Sequence, residues 1–311
     1  MARGVESRGL VASVRSERES GAEAEGAPRV GGASASCRRP PDRPFFHYPS
    51  RVILASRVAL LEARLNRLPS LLVALSGGVD SAALLGVAAR ALKGRLVAAT
   101  TVSAAVPPEE IAEAASTAAR FRVPHHVVQT RELEDPRYRA NAGDRCYFCR
   151  QEMYGVLLDL AAREGLAHVA DGLQADDAAG ERPGVRAASE KGILHPLRDA
   201  GLGKGDIRRL ARGFGLAVFD KPAQPCLSSR LPRGVEVTVE RLKRVHRAER
   251  ALRALGFREL RVRHEEARGR VEIGAAELDG ARARRAEIEA AVVAAGFPAA
   301  WLDPKGYREA R

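Results

Sequence analysis

The residues of this chain with the clearest chemical meaning are Ser76, Gly77, Gly78, Val79, Asp80 and Ser81. An apolar run over 71–75 precedes them and predicts a strand, and a helical apolar run over 82–92 follows. Glycines permit close backbone approach, and the first amides of a helix attract an anion. Ser76 and Ser81 add hydroxyl groups, while Asp80 can hold Mg²⁺ or orient a phosphate. Because the lysine of a Walker loop is missing from this pattern, we expect pyrophosphate to be held by backbone and hydroxyl groups.

A second set of reactive side chains consists of three cysteines. Cys146 and Cys149 form a C-x-x-C pair, which we place just before a helix. Cys226 follows a proline and lies between Lys221 and Arg230, whose charges favour the nucleophilic thiolate. Three cysteines can hold three irons of a [4Fe–4S] cluster and leave the fourth iron open to a ligand such as sulfide. A zinc site is the alternative, with its fourth ligand from among His125, His126 and His195.

Composition sets limits on the class of protein. The chain has 311 residues, enough for two domains, and its four cysteines do not suggest a disulfide scaffold. The sequence contains neither a membrane-length apolar run nor a hydrophobic signal core, so we expect a cytoplasmic location. The net charge is +12, and residues 203–311 carry 24 basic and 15 acidic side chains, which gives +9. That basic third could attract RNA or an anionic small molecule.

The order of predicted elements favours an α/β fold with a doubly wound parallel sheet. Strands are predicted over 71–75, 96–102, 126–129 and 167–170, and helices over 56–68, 82–92, 108–121, 150–163 and 204–213. After Pro232 the pattern changes to a helix, two strands and a helix, predicted over 238–255, 259–264, 269–273 and 276–295. We therefore expect a disordered extension over 1–46, an α/β domain over 47–232 and a small α+β domain over 233–305.

These motifs together resemble a known family. The segment 76–81 resembles the PP-loop of the ATP pyrophosphatase superfamily, whose domain has a HUP-like (adenine nucleotide alpha hydrolase-like) fold. The blocks that narrow the match are Arg145-Cys146-Tyr147-x-Cys149, Asp171-Gly172, Asp176-Asp177, Glu181-Arg182-Pro183-Gly184 and Pro225-Cys226-Leu227-Ser228-Ser229-Arg230. With them, residues 54–305 resemble the LarE family, ATP-dependent sulfur transferases that make the nickel-pincer nucleotide cofactor of lactate racemase.

The resemblance implies a reaction and its cofactors. ATP, with Mg²⁺, would adenylate a carboxylate of pyridinium-3,5-biscarboxylic acid mononucleotide, and a sulfur nucleophile would displace AMP to leave a thiocarboxylate. The resemblance gives Asp80 a catalytic role and places Asp171 and Arg182 at the nucleotide. Some members sacrifice the cysteine that aligns with Cys226, and others hold a [4Fe–4S] cluster that relays sulfide. We favour the cluster, with Cys146, Cys149 and Cys226 as ligands, and keep the sacrificial route as the second choice.

The resemblance extends to the C-terminal region and to partners. Arg261 and Arg263 lie on one face of a predicted strand and would bind the phosphate of the mononucleotide, with Glu249 nearby. Family members typically form homo-oligomers, and their product passes to a nickel-inserting cyclometallase. Two residues depart from the family pattern: Gln174 replaces a usual Asn, and His195 replaces a small residue.

Other PP-loop enzymes remain as alternative functions. A tRNA thiolation enzyme could use the same three cysteines, with the basic C-terminal third bound to the RNA backbone. The sequence contains no appended RNA-binding module, so we expect a small-molecule nucleotide substrate in preference to nucleic acid. An amidating or NAD-synthetase-like enzyme would explain the loop at 76–81 but would leave the cysteines without a role.

Overall fold

The computed structural model describes residues 48–178, 183–222, 224–266 and 268–307. The extension predicted over 1–46 lies outside these ranges. The strands are β1 (Ser70–Ala74), β2 (Arg95–Val102), β3 (His125–Gln129), β4 (His168–Ala170), β5 (Leu260–Glu265), β6 (Arg268–Ile273) and β7 (Ala299–Leu302). The helices are α1 (Tyr48–Leu65), α2 (Val79–Ala91), α3 (Pro108–Arg120), α4 (Pro136–Arg139), α5 (Arg145–Arg163), α6 (Pro183–Glu190), α7 (Pro196–Asp199), α8 (Lys204–Gly213), α9 (Val239–Ala254), α10 (Leu278–Ala283) and α11 (Arg285–Ala294).

The first sheet is parallel, and its strands are arranged in the order β3-β2-β1-β4. Its residues alternate between two cores because successive side chains of a strand point to opposite faces. Leu71 and Val73 of β1 pack in a cluster with α1, α2 and α8, whereas Leu72 packs in a cluster with Leu157 of α5. Helices therefore cover both faces, and the predicted α/β fold with a doubly wound parallel sheet is confirmed.

Local sequence explains where two of the helices, α3 and α9, begin. Pro108 occupies the first turn of α3, where a missing amide hydrogen is tolerated, and Glu109 and Glu110 add negative charge at the same end. At α9, the Thr238 side chain accepts a hydrogen bond from the Arg241 amide and caps the helix. Both helices begin within one residue of their predicted starts, 108 and 238.

The second sheet has the order β5-β6-β7, with β5 and β6 antiparallel and β6 and β7 parallel. Two predictions here were wrong. The single helix expected over 276–295 is divided into α10 and α11 at Arg284, whose backbone leaves the helical region at φ −106° and ψ 22°. Strand β7 was not expected, since its four residues, Ala-Ala-Trp-Leu, carry only a weak strand pattern, and pairing with β6 fixes their conformation.

The core beneath the second sheet includes residues from well before residue 233. Leu242 and Val262 belong to one buried cluster with Tyr138 and Leu227. The predicted domain boundary at 232 stays a prediction. Within the described ranges, no helix combines the length and the apolar character that crossing a membrane requires.

Candidate active site

Residues 76–81, here called the phosphate loop, join β1 to α2, and their conformation depends on one glycine. Gly77 has φ +79°, and a Cβ placed on it would lie 2.3 Å from the carbonyl oxygen of Glu110. Any side chain at this position would therefore meet both backbone strain and a backbone clash. The loop lies at the carboxyl end of β1, the edge at which parallel α/β sheets bind ligands.

Hydroxyl groups hold the rest of this loop. The Ser76 amide donates to Ser81 Oγ at 3.1 Å, and Ser81 Oγ donates to the Gly78 carbonyl at 3.2 Å. The first helical bond of α2 runs from the Ala82 amide to Gly78, so the Val79 amide precedes the hydrogen-bonded part of the helix. The loop thus presents backbone amides, two serine hydroxyls and the positive end of a helix, a combination suited to a pyrophosphate group.

Asp80 lies in the first turn of α2 and has an unusual environment. Its Oδ1 is buried and has no hydrogen-bond partner among the described residues. Burial, reinforced by the charge of Asp177, raises the pKa of Asp80 to about 6, while Lys204 and Arg208 act in the opposite direction. A buried carboxylate oxygen without a partner fits Mg²⁺, which binds one or two carboxylates together with substrate phosphates. Asp80 would hold the ion, and the ion would neutralise charge on the phosphates.

Asp171, at the carboxyl end of β4, is bound on several sides. It accepts hydrogen bonds from Tyr154 Oη at 2.5 Å and from the Leu173 amide at 3.0 Å, and His195 Nδ1 lies 2.7 Å away. Burial alone would raise the pKa of Asp171, but the hydrogen bond with His195 holds it below the usual value. The neighbouring Gly172 packs closely on α2. Asp171 therefore fixes the end of β4 beneath the phosphate loop, and its predicted contact with the nucleotide stays a prediction.

Arg182, the other residue predicted to bind the nucleotide, lies outside the described residues. Earlier in the chain, Gly172 lies close to the phosphate loop, since a Cβ on Gly172 would lie 2.8 Å from the Ser81 amide nitrogen. The Asp171-Gly172 pair is the sequence feature from which this close approach could have been recognised.

The C-x-x-C pair lies inside α5, so its predicted position before a helix was wrong. The helix begins at Arg145 directly after Asp144, and no residue in its first turn interrupts it. Cys146 is exposed and Cys149 is partly buried. Residues three apart on a helix share a face, so both thiols lie on one side of the first turns of α5.

Cys149 lies near the segment of Cys226, since it packs against the buried cluster that contains Leu227. Burial raises the pKa of Cys149 to about 12, and the charges of Cys226 and Glu132 add to the increase. Cys226 itself is exposed, directly before a short 3₁₀ helix over 227–230. The structure therefore brings the C-x-x-C pair and the remote cysteine to one region, as the cluster prediction requires.

The predicted [4Fe–4S] cluster is nevertheless not supported by the geometry. Within 48–178, 183–222, 224–266 and 268–307, no three His, Cys, Asp or Glu side chains are arranged to hold a metal ion. The histidines considered for zinc are engaged elsewhere: His125 Nε2 lies 2.8 Å from Thr100 Oγ1, and His195 is bound to Asp171. His125 and His126 also begin β3, so they lie at the amino end of the parallel strands, whereas the phosphate loop lies at the carboxyl end.

The segment 224–231, here called the cysteine segment, is anchored to the first sheet. The Leu227 amide donates to the Ala105 carbonyl at 2.9 Å, in the loop that follows β2. Ser228, fully buried, lies 2.6 Å from Tyr138 Oη through its hydroxyl and accepts from Arg145 through its carbonyl at 2.8 Å. Sequence reasoning did not identify these anchors, because each one joins residues far apart in the chain.

The residues predicted to bind the substrate phosphate lie on the other side of the cysteine segment. Arg261 is buried, with its guanidinium 4.9 Å from the Tyr307 ring. Arg263 donates to the Ser229 carbonyl at 3.1 Å and pairs with Glu272 at 3.0 Å. Burial and the charge of Arg230 lower the pKa of Arg261. Guanidinium groups are well suited to binding an anion such as phosphate.

Glu249, predicted for the same phosphate site, is almost completely buried and forms an ion pair with Arg230. Its role in phosphate binding stays a prediction. A further ion pair, between Lys221 and Glu110 at 2.8 Å, links the chain just before the cysteine segment to the residue that touches Gly77. The residues that flank Cys226 therefore contact Glu110, beside the phosphate loop, and Arg263 of β5.

Comparisons with known proteins agree with this geometry. A sequence profile of the asparagine synthase family matches residues 60–148, which include the phosphate loop. Pyridinium-3,5-bisthiocarboxylic acid mononucleotide synthase of Lactiplantibacillus plantarum is 33% identical over 259 residues, which cover 83% of this chain and 94% of that protein. An uncharacterised protein of Synechocystis sp. is 43% identical over 221 residues, covering 71% of this chain and 82% of the relative.

A third relative, an uncharacterised protein of Methanocaldococcus jannaschii, is 32% identical over 123 residues, 40% of this chain and 48% of its own length. The match to the synthase covers 83% of this chain, well beyond the part that the asparagine synthase profile covers. The chain is therefore an enzyme of the PP-loop ATP pyrophosphatase superfamily and belongs to the LarE family, to which the pyridinium-3,5-bisthiocarboxylic acid mononucleotide synthase belongs.

Proposed function

We propose that this enzyme converts the carboxylates of pyridinium-3,5-biscarboxylic acid mononucleotide into thiocarboxylates, using ATP for activation. The observation that carries the proposal is the placement of Cys226. The chain before it reaches the phosphate-loop side through the ion pair of Lys221 with Glu110, whose carbonyl lies beside Gly77. The chain after it reaches β5 through the Ser229 carbonyl, which accepts from Arg263. A thiol between an ATP loop and an anion site can attack a substrate that is activated on one side and bound by its phosphate on the other.

Adenylation is the first step. A substrate carboxylate oxygen attacks the α-phosphorus of ATP, and pyrophosphate leaves. The amides and hydroxyls of the phosphate loop hold the departing pyrophosphate, with Asp80 as the residue that binds Mg²⁺. The product is an acyl adenylate, whose leaving group, AMP, is far better than the original carboxylate oxygen.

Sulfur transfer is the second step. The Cys226 thiolate attacks the acyl carbon, and AMP departs with the former carboxylate oxygen. Removal of the Cys226 Hα then breaks its Cβ–Sγ bond, so the sulfur stays on the substrate as a thiocarboxylate and the residue becomes dehydroalanine. The exposed position of Cys226 and the raised pKa of Cys149 favour Cys226 as the attacking thiol.

Mass spectrometry of substrate and protein tests the proposal. Purified protein is incubated with ATP, Mg²⁺ and the biscarboxylic nucleotide, and we expect the substrate to gain sulfur and the protein to lose one H₂S. Cys226→Ser should release pyrophosphate but form no thiocarboxylate, and Cys146→Ser is the matched control for an exposed cysteine of α5. Thiocarboxylate formation by Cys226→Ser would refute the proposed role of Cys226.

The same preparation tests the route that the sequence favoured. In that route, Cys146, Cys149 and Cys226 hold a [4Fe–4S] cluster, which would supply bound sulfide. Stoichiometric iron and acid-labile sulfide after anaerobic purification, with no loss of mass from the protein, would establish this route in place of a sacrificed Cys226. Sulfur incorporation into tRNA, with none into the nucleotide, would establish the alternative function of tRNA thiolation.

The proposal also concerns partners. The product would pass to a nickel-inserting cyclometallase, and the enzyme would act as a homo-oligomer. Support for both comes from the family to which the chain belongs.

A further inference from the structure

An ion pair lies buried directly beneath Cys226. Arg230 and Glu249 are each only 1% exposed. Arg230 Nε donates to Glu249 Oε1 at 2.8 Å and Nη2 donates to Oε2 at 3.1 Å, so the contact is bidentate. Taking two charges out of water costs several kcal/mol per ion, so such a pair is a poor source of stability. Another role must explain its position.

The remaining donor group of Arg230 contacts the backbone around Cys226. Nη1 donates to the Pro225 carbonyl at 2.5 Å, to the Cys226 carbonyl at 3.2 Å and to Ser229 Oγ at 3.0 Å. The two carbonyls belong to the peptide groups before and after the Cys226 Cα. Since those two peptide planes define φ and ψ of Cys226, one guanidinium group fixes the direction of its Cα–Cβ bond.

Glu249 connects the same guanidinium to the strand that carries the predicted phosphate arginines. Its Oε1 accepts from the Val262 amide at 3.2 Å, and its Oε2 accepts from Arg253 at 3.2 Å. Val262 lies between Arg261 and Arg263 on β5. The carboxylate therefore fixes the cysteine backbone relative to β5 as well as to α9.

We propose that Arg230 and Glu249 are positioning residues that hold Cys226 in the orientation needed to attack a substrate bound at β5. The expected effect on sulfur transfer rests on the proposed function. The statement that the pair fixes the backbone of Cys226 rests on the contacts alone. The pair acts through the backbone of Cys226 and does not itself touch the reacting atoms. A lysine at 230 would keep the charge but could not bind the carboxylate and both carbonyls at once.

Two conservative variants, Glu249→Gln and Arg230→Lys, test the proposal. We expect amide hydrogen exchange in the peptide over 224–231 to become at least tenfold faster, while exchange in the α2 peptide changes less than twofold. In single turnovers, the rate of thiocarboxylate formation should fall at least tenfold with pyrophosphate release, which reports activation, within twofold of wild type. Loss of global stability would accelerate exchange in both peptides, so the two peptides separate positioning from folding.

Matched controls come from the exposed side of α9, the helix that carries Glu249. Glu240→Gln and Arg250→Lys make the same chemical changes at exposed positions and should leave both measurements as in wild type. If a single variant does not fold, the double variant Arg230→Met/Glu249→Leu removes both charges together, which buried pairs often tolerate. We expect it to show the same local acceleration in 224–231.

Unchanged exchange over 224–231 in the folded variants would overturn the proposal. So would a fall in pyrophosphate release equal to the fall in sulfur transfer, because the pair would then act on activation rather than on Cys226. If wild type makes no thiocarboxylate, the proposed function fails, but the exchange experiment still decides whether the pair holds the cysteine segment.

Discussion

The phosphate loop and the cysteine segment contribute to the same site but are built in different ways. The phosphate loop is local: the serine hydroxyl contacts that hold it join residues within five positions of each other. The cysteine segment is held by remote residues, among them Tyr138, which is 90 positions from Ser228, and Glu249, which is 19 positions from Arg230. A short motif can encode a loop that binds phosphate, whereas orienting a single thiol requires contacts from residues far away in the chain.

The largest effect should come from replacing the glycine on which the local loop depends. Gly77→Ala places a Cβ against the Glu110 carbonyl and at a positive φ, which costs about 2 kcal/mol or more. The displaced loop should reduce the rate of pyrophosphate release about 100-fold, as expected for a misplacement of about 1 Å in an active site. Single-turnover pyrophosphate release and Tm measure the two effects.

Gly155→Ala is the control for that substitution. Gly155 lies inside α5, and a Cβ there would meet nothing within 4 Å. The change should be neutral or stabilising by about 0.5–1 kcal/mol. If both alanine variants behaved alike, the close approach at Gly77 would not be what shapes the loop.

An intermediate effect is expected when one remote anchor of the cysteine segment is removed. Tyr138→Phe leaves the buried Ser228 hydroxyl without its partner, which should lower the free energy of unfolding by about 1–2 kcal/mol. Sulfur transfer should fall more than pyrophosphate release, because the contact holds the cysteine segment and not the phosphate loop. Urea denaturation and single-turnover assays provide the two measurements.

Tyr147→Phe removes a comparable hydroxyl contact, to Glu190, at an exposed position. It should change the free energy of unfolding by no more than about 0.5 kcal/mol. An equal loss in the two variants would show that the remote anchor has no special importance.

The smallest effect concerns the charge of the Asp80 carboxylate and depends on pH. The pKa of Asp80 rises from 3.8 for an unfolded chain to about 6 in the folded protein, so between these values the folded state binds more protons. Stability therefore falls as the pH rises from about 4 to about 6 and remains lower above that range. Asp80→Asn should remove this decline and, without metal, stabilise the protein on the order of 1 kcal/mol at pH 8 but not at pH 4.

Thermal unfolding of wild type and Asp80→Asn at both pH values measures the difference. The variant should also lose Mg²⁺-dependent AMP formation, since an amide binds the ion less well than a carboxylate. A constant stability difference between pH 4 and pH 8 would contradict the raised pKa of Asp80.

The sequence predicted the local parts of the molecule well for physical reasons. Apolar periodicity located β1 and α2, and the residue types of the loop between them indicated its chemistry. The bond from Asp171 to His195 was not predicted, because no local pattern links the end of a strand to a residue 24 positions later. Strand β7 was missed since its conformation comes from its partner β6, and the start of α5 was placed too late because Cys, Tyr and Phe are weak helix signals.

Tyr307 gives the C-terminal region of the described chain a part in completing the site. Its ring covers the Arg261 guanidinium, and its amide donates to the Ile273 carbonyl at 2.7 Å. During synthesis on the ribosome, the phosphate loop and Cys226 emerge long before this aromatic residue. Arg261 therefore acquires its final surroundings only after residue 307 has been made, so the predicted phosphate site is among the last parts of the described chain to be completed.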